Sequence, residues 1–75
     1  MFDYKLLEAF TSVIETGSFA RAAEKLFITQ SAVSQRVKLL EDQVGKLLLI
    51  RSSPPMPTSA GIDYVTHFRK VSILE

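Results

Sequence analysis

Apolar residues recur at helical spacing near the start of the chain. This pattern predicts a first helix whose buried face carries Leu6, Leu7, Phe10, Val13 and Ile14. Asp3 is placed to cap this helix, and Gly17 to end it. Ser18 offers a second N-cap and predicts a short, alanine-rich helix over residues 19–26.

A third helix is predicted over residues 30–44, with Thr29 as its N-cap and Gly45 as its stop. One stripe of this helix is apolar and consists of Val33, Val37, Leu40 and Val44. A separate face, here called the polar arc, consists of Gln30, Ser31, Ser34, Gln35, Lys38 and Asp42. The arc could simply be solvated. However, helix faces that serve only solubility usually carry Glu, Lys and Arg rather than Ser and Gln, which favours a binding surface.

The segment after Gly45 predicts a small β-hairpin. An apolar run over residues 46–51 has the length of a strand. The serines and prolines of residues 52–58 predict a turn after it. Pro57 could belong only to an edge strand, because it has no N–H to donate. Thr58 then caps a fourth helix that begins at Ser59. This helix places apolar side chains at Ile62, Val65, Phe68 and Val71. Its pattern runs to the last residues, so we expect the chain to be part of a longer protein.

Composition narrows the class of protein. The chain has 75 residues, of which 47% are hydrophobic, and this indicates one small globular domain. There is no cysteine, which excludes disulfides, Cys-ligated zinc and thiol nucleophiles. No apolar run reaches the roughly 20 residues of a transmembrane helix, and no signal peptide is evident. We expect a soluble cytoplasmic protein.

The charge is unevenly distributed, although the net charge is only +1. Residues 20–51 carry six basic and three acidic side chains, whereas residues 1–19 carry one basic and three acidic side chains. A basic middle segment is compatible with a nucleic-acid partner. It does not exclude a helical module that binds another protein.

Catalytic and metal-binding constellations are not evident in the sequence. Glu41 and Asp42 are adjacent, so on a helix their carboxylates diverge and form no acid–base pair. His67 is the sole histidine and has no companion ligands. The aromatic side chains of Phe10, Phe19, Phe27 and Phe68 are expected in the core. We therefore predict neither an enzyme nor a metal site.

The order of elements predicts a mainly α fold of the winged helix-turn-helix type, with three core helices, a hairpin wing and a C-terminal linker helix. A B-form major groove is about 12 Å wide and admits one helix. Short polar side chains near the start of that helix allow its backbone to approach the base edges. Glutamine can form two hydrogen bonds to adenine, and serine can form a hydrogen bond to several of the bases. The amides at the helix N-terminus favour a nearby phosphate. Residues 29–38 supply all of these features.

These residues carry a resemblance to a known family. The segments "AAEKL", "TQSAVSQ", "LE" at 40–41, Gly45 and "PTSAG" occur in this order, and the chain resembles the N-terminal DNA-binding domain of LysR-type transcriptional regulators from about Leu6 onward. Within that family, it is most similar to the subgroup that regulates basic amino-acid export, also described as inhibitors of chromosome initiation. The resemblance implies sequence-specific binding of double-stranded DNA.

The resemblance also implies roles for individual residues. The positions from which the family reads base edges are occupied here by Gln30, Ser31, Ser34 and Gln35. The positions from which the family contacts DNA phosphates are occupied here by Thr29, Lys38 and Arg51. Relatives often have Pro in place of Ser31 and Arg in place of Gln35, so their base preferences do not transfer. Met56 stands where relatives place a basic wing residue, and the wing could act mainly as a spacer.

The family further implies an assembly and a domain order. Residues 1–58 would form the DNA-binding domain, and residues 59–75 the start of a linker helix that pairs in a homodimer through Ile62, Val65, Phe68 and Val71. No cofactor is expected in this chain. A small-molecule effector, for which the subgroup suggests a basic amino acid, would bind a C-terminal domain beyond it.

Overall fold

The structure is a computed structural model that describes the backbone of residues 4–74 and the side chains of residues 4–66. Its elements, in chain order, are α1 (Tyr4–Thr16), α2 (Phe19–Leu26), α3 (Gln30–Val44), β1 (Leu49–Ile50), β2 (Met56–Pro57) and α4 (Ser59–Leu74). The predicted mainly α, winged helix-turn-helix architecture is confirmed. None of the helices in the described part of the chain has the length and hydropathy needed to cross a membrane.

Hydroxyl side chains cap three of the helices, as predicted. Ser18 Oγ accepts the Arg21 N–H at 3.2 Å at the start of α2, and Thr29 Oγ1 accepts the Ala32 N–H at 3.1 Å at the start of α3. A third hydroxyl, Thr58 Oγ1, accepts an N–H of the first turn of α4 at 3.1 Å. Each bond satisfies one of the amides that a helix N-terminus leaves unpaired. The predicted cap Asp3 lies outside the described residues.

The core lies where α1 packs against α2 and α3. Its largest fully buried side chains are Phe10, Leu7, Leu48, Val13, Val33 and Val37. The apolar stripe predicted for α3 therefore faces α1, and the opposite side of α3 is left for solvent or a partner. This packing fixes the direction of the polar arc.

One aromatic prediction is wrong. Phe27 was expected in the core, but 94% of its surface is exposed. It is the C-cap of α2 and adopts a left-handed backbone with φ 58°, because the chain must turn sharply between α2 and α3. Phe10 is buried as predicted, and Phe19 is partly buried against the core. The side chain of Phe68 lies outside the described residues.

The wing is shorter than the sequence predicts. The strand expected over residues 46–51 pairs only at Leu49 and Ile50, which lie opposite Pro57 and Met56 in an antiparallel register. Pro57 has no N–H to donate, which limits the ladder on one side. The amide of Leu48, which the longer strand would have paired, is bonded instead by a side chain of α3.

A close approach joins α4 to the wing and to α1. A Cβ added at Gly61 would overlap the Leu48 carbonyl oxygen and would touch the ring edge of Phe10 at 3.0 Å. Glycine at this position therefore allows α4 to lie directly on the chain leading into β1.

We predict that Gly61→Ala lowers the free energy of unfolding by about 1–3 kcal/mol, because the added methyl must displace backbone and not only a flexible side chain. This loss would exceed the roughly 1 kcal/mol that alanine gains over glycine in a helix. Chemical denaturation measures the difference. Ser59→Ala, at an exposed position of the same helix, serves as control and should change stability by less than about 0.5 kcal/mol. Equal stability of the two variants would contradict the close contact.

Candidate nucleic-acid interface

The start of α3 presents uncharged polar side chains to solvent. Gln30, Ser31 and Gln35 are exposed, and Ser34 is half-buried. Within residues 4–66, the side chains of Gln30, Ser31 and Gln35 make no hydrogen bond to the protein. Their amide and hydroxyl groups are therefore available to a partner. This is the arrangement that the sequence predicted for a base-reading surface.

Thr29 holds the beginning of this surface in place. Its backbone is extended, with φ −79° and ψ 160°, and its Oγ1 accepts a hydrogen bond from the first turn of α3. The hydroxyl proton remains available to a second acceptor, because an accepting oxygen keeps its own O–H. The exposed amides and the positive end of the helix dipole lie beside it, which suits a phosphate.

A shallow hollow collects several of the predicted site residues. It is lined by Phe19, Gln30, Ser31, Ser34 and Arg51. The hollow therefore joins the start of α2, the first turns of α3 and the residue that follows β1. Three of the four predicted base-reading residues lie here with one predicted phosphate contact, Arg51.

Arg51 is held by three different groups. Its Nη1 donates to Ser34 Oγ at 3.4 Å, and its Nη2 lies 3.6 Å from Glu41 Oε1. Its guanidinium carbon lies 5.3 Å from the centroid of the Phe19 ring, in a cation–π arrangement. The side chain is still 42% exposed. Arg51 thus links the wing to the polar arc of α3 and keeps surface for another contact.

Glu41 is the residue that sequence reasoning missed. Its side chain is only 8% exposed, and its Oε2 accepts the backbone N–H groups of Leu48 at 2.9 Å and Leu49 at 3.2 Å. A signal was present, because position 41 follows Val37 by four residues and so falls beside the apolar stripe of α3. A carboxylate on a buried stripe requires partners, and here the wing supplies them.

Lys38 lies apart from the hollow. It is exposed on α3 and, together with Asp42 and Lys46, lines a second shallow depression near the end of the helix. Gln35 is exposed outside both depressions. The polar arc therefore extends along α3 beyond the hollow, which contains only its N-terminal residues.

The residues predicted to form a dimer interface differ in their exposure to solvent. Ile62 is 52% exposed on α4, whereas Val65 is 8% exposed and belongs to the core of its own chain. Val65 therefore has little surface left for a second subunit. The side chains of Phe68 and Val71 lie outside the described residues, as does that of His67.

Within the described residues, no group of three or more His, Cys, Asp or Glu side chains could hold a metal ion. The carboxylate of Glu41 faces the wing amides, whereas its neighbour Asp42 is exposed. The two carboxylates therefore diverge, as their adjacency on a helix predicts.

Comparison with known proteins identifies one family of bacterial regulators. The family described as "Bacterial regulatory helix-turn-helix protein, lysR family" matches residues 4–62. The chain is 52% identical over 75 residues to the HTH-type transcriptional regulator ArgP of Pseudomonas aeruginosa, covering all of this chain and 25% of that protein. The chain thus spans about a quarter of the length of the curated relatives it matches.

Two solved structures are similar in fold and sequence. The DNA-binding domain of CbnR in complex with DNA superposes with a TM-score of 0.89 at 30% identity, covering 97% of this chain and 85% of that chain. Full-length LysG from Corynebacterium glutamicum with bound effector Arg superposes with a TM-score of 0.91 at 42% identity, covering 97% of this chain and 25% of that chain.

We predict that Glu41→Ala lowers the free energy of unfolding by about 1–3 kcal/mol, because two amides at the base of the wing lose their acceptor. Thermal and chemical denaturation measure this change. Asp42→Ala, at the exposed neighbouring position, is the matched control and should stay within about 0.5 kcal/mol of the unmodified chain. If the two variants were equally stable, the anchoring role of Glu41 would be wrong.

Proposed function

Because this chain belongs to the lysR family of bacterial regulatory helix-turn-helix proteins, we propose that α3 enters the major groove of double-stranded DNA and reads its sequence. The chain is the LysR-type helix-turn-helix DNA-binding domain of a transcriptional regulator.

The observation that carries the proposal is the free polar surface at the start of α3. Gln30, Ser31 and Gln35 are exposed and have no hydrogen-bond partner within residues 4–66. Glutamine can donate and accept at once and so can pair with the N6 and N7 edge of adenine. Ser31 is short enough to allow a close approach of the helix backbone to the bases.

Phosphate contacts would supply most of the affinity. Thr29 and the amides of the first turn of α3 lie at one end of the polar arc, and Lys38 lies about two turns further along the helix. A helix in the major groove runs between two phosphate backbones, so contacts near both ends would hold its register. Arg51, which is partly exposed beside α3, would add a third contact.

We propose that the protein acts as a homodimer. Residues 1–58 would form the DNA-binding unit, and residues 59–75 the start of a linker helix that pairs with the same helix of a second subunit. The exposed Ile62 supports such a contact. A two-fold dimer would place two α3 helices one or more turns of DNA apart, at about 34 Å per turn, opposite a pseudo-palindromic site.

Effector binding would belong to the part of the protein outside this chain. The similar protein LysG has been solved with bound effector Arg, which supports a basic amino acid as the effector here. The domain itself would use no cofactor and catalyse no reaction. It would work in the cytoplasm, where a bacterial regulator meets its DNA.

We predict that Gln30→Ala weakens binding to the preferred DNA site by about 1–3 kcal/mol and relaxes selectivity at one base pair. Selection from a randomised duplex library, followed by titration of single-base variants, measures both effects. Gln43→Ala removes an exposed glutamine from the same helix outside the polar arc and should leave the preferences intact. An unchanged preference in Gln30→Ala would remove this residue from the reading surface.

Lys38→Ala should weaken binding to all sequences equally and reduce the slope of log affinity against log salt by about one, because one phosphate contact is lost. Titrations at several salt concentrations test this. Lys25, which pairs with Glu15 at 3.2 Å on α1, provides the control Lys25→Ala with an unchanged slope. An affinity that does not change with salt concentration would instead indicate a protein-interaction module.

A further inference from the structure

The contact between Arg51 and Ser34 sets the direction of the Ser34 hydroxyl. A serine hydroxyl has one proton to donate and two lone pairs, whereas a guanidinium only donates. In the 3.4 Å contact between Arg51 Nη1 and Ser34 Oγ, Ser34 must therefore accept. Its own proton is directed to some other acceptor.

Within the described residues, Ser34 Oγ donates no hydrogen bond to the protein. Hydroxyls in helices commonly donate to the carbonyl four residues back. Thr16 does so to Ser12 at 2.7 Å, and Thr66 does so to Ile62 at 3.0 Å. Ser34 makes no bond of this kind within residues 4–66. Ser34 lines the same hollow as Gln30 and Ser31, so its proton is available to a partner bound there.

The position of Arg51 is itself determined by the fold. Glu41, which is buried and anchors the wing, holds one guanidinium nitrogen, and the Phe19 ring supports the guanidinium plane. The second nitrogen is thereby placed against Ser34. Nη2 faces the Glu41 carboxylate, and Nη1 donates to Ser34 Oγ. The planar guanidinium can reach both oxygens at once, which the single ammonium group of a lysine could not do.

We propose that Arg51 is a positioning residue that determines specificity, because it occupies one lone pair of Ser34 and so favours this hydroxyl as a hydrogen-bond donor toward an acceptor on a base edge. Such acceptors in the major groove are purine N7, guanine O6 and thymine O4, whereas the N4 amino group of cytosine is a donor and is disfavoured. The inference rests on the proposed function and deepens it. It assigns part of base selection to a side chain outside the reading helix.

The competing interpretation is that Arg51 contacts only a phosphate. The variant Arg51→Lys separates the two, since it keeps the positive charge and loses the fork. We expect Ser34→Ala and Arg51→Lys each to relax selectivity at the same base pair by about threefold to tenfold, the range of one modest hydrogen bond. The double variant should relax it no further, and Arg51→Lys should keep the salt dependence of the unmodified chain.

The measurement is selection of the full chain on a randomised duplex library, followed by titration of each single-base variant. Arg36→Lys, at a half-buried position of α3 outside the polar arc, is the control for an arginine-to-lysine change. Circular dichroism and thermal denaturation establish that each variant is folded. A base analogue that lacks the acceptor, such as a 7-deazapurine, gives a second measurement that needs no protein variant.

With that analogue, the unmodified chain should lose about threefold to tenfold in affinity, and Ser34→Ala and Arg51→Lys should lose nothing more. The proposal is overturned if Arg51→Lys keeps the full preference, if the two variants affect different base pairs, or if Ser34→Ala affects none. If the unmodified chain shows no sequence preference at all, the proposed function itself fails. The two failures are thus distinguishable.

Discussion

The buried carboxylate of Glu41 is the interaction on which the arrangement of the interface depends. It ties the end of α3 to the two amides that begin the wing, and it faces the guanidinium of Arg51. A charge withdrawn from water is tolerated only where hydrogen-bond donors and an opposite charge surround it. Because the wing amides supply those donors, these hydrogen bonds couple the position of the wing to that of α3. The hairpin needs this tie, since two strands of two residues have little stability of their own.

Much of the fold follows from local chemistry and was predictable. The caps Ser18, Thr29 and Thr58 act on amides only three residues away, so the sequence around each contains nearly all the information required. Gly45 ends α3 in a left-handed conformation for a similarly local reason. The polar arc was predictable because the spacing of apolar residues on α3 defines which face is buried. The family resemblance, carried by the same segments, is confirmed by the match over residues 4–62.

The features that were missed depend on residues distant in sequence. The burial of Glu41 depends on where the wing returns to α3, and the position of Val65 in the core depends on how α4 lies across the domain. The apolar character of Phe27 predicts a core position, but the turn between α2 and α3 directs its side chain outward. The link from Arg51 to Ser34 spans 17 positions and joins two elements, so no periodicity could indicate it.

The freedom of Gln30 and Ser31 has an evolutionary consequence. Since neither side chain supports the monomer through a hydrogen bond within residues 4–66, mutation at these positions can change the exposed face of α3 without weakening the scaffold. Ser34 is different, because its partner Arg51 is bound to the same carboxylate that fastens the hairpin. Under the proposed function, new targets would be reached most readily through the first turn of α3, while position 34 would diversify more slowly and together with position 51.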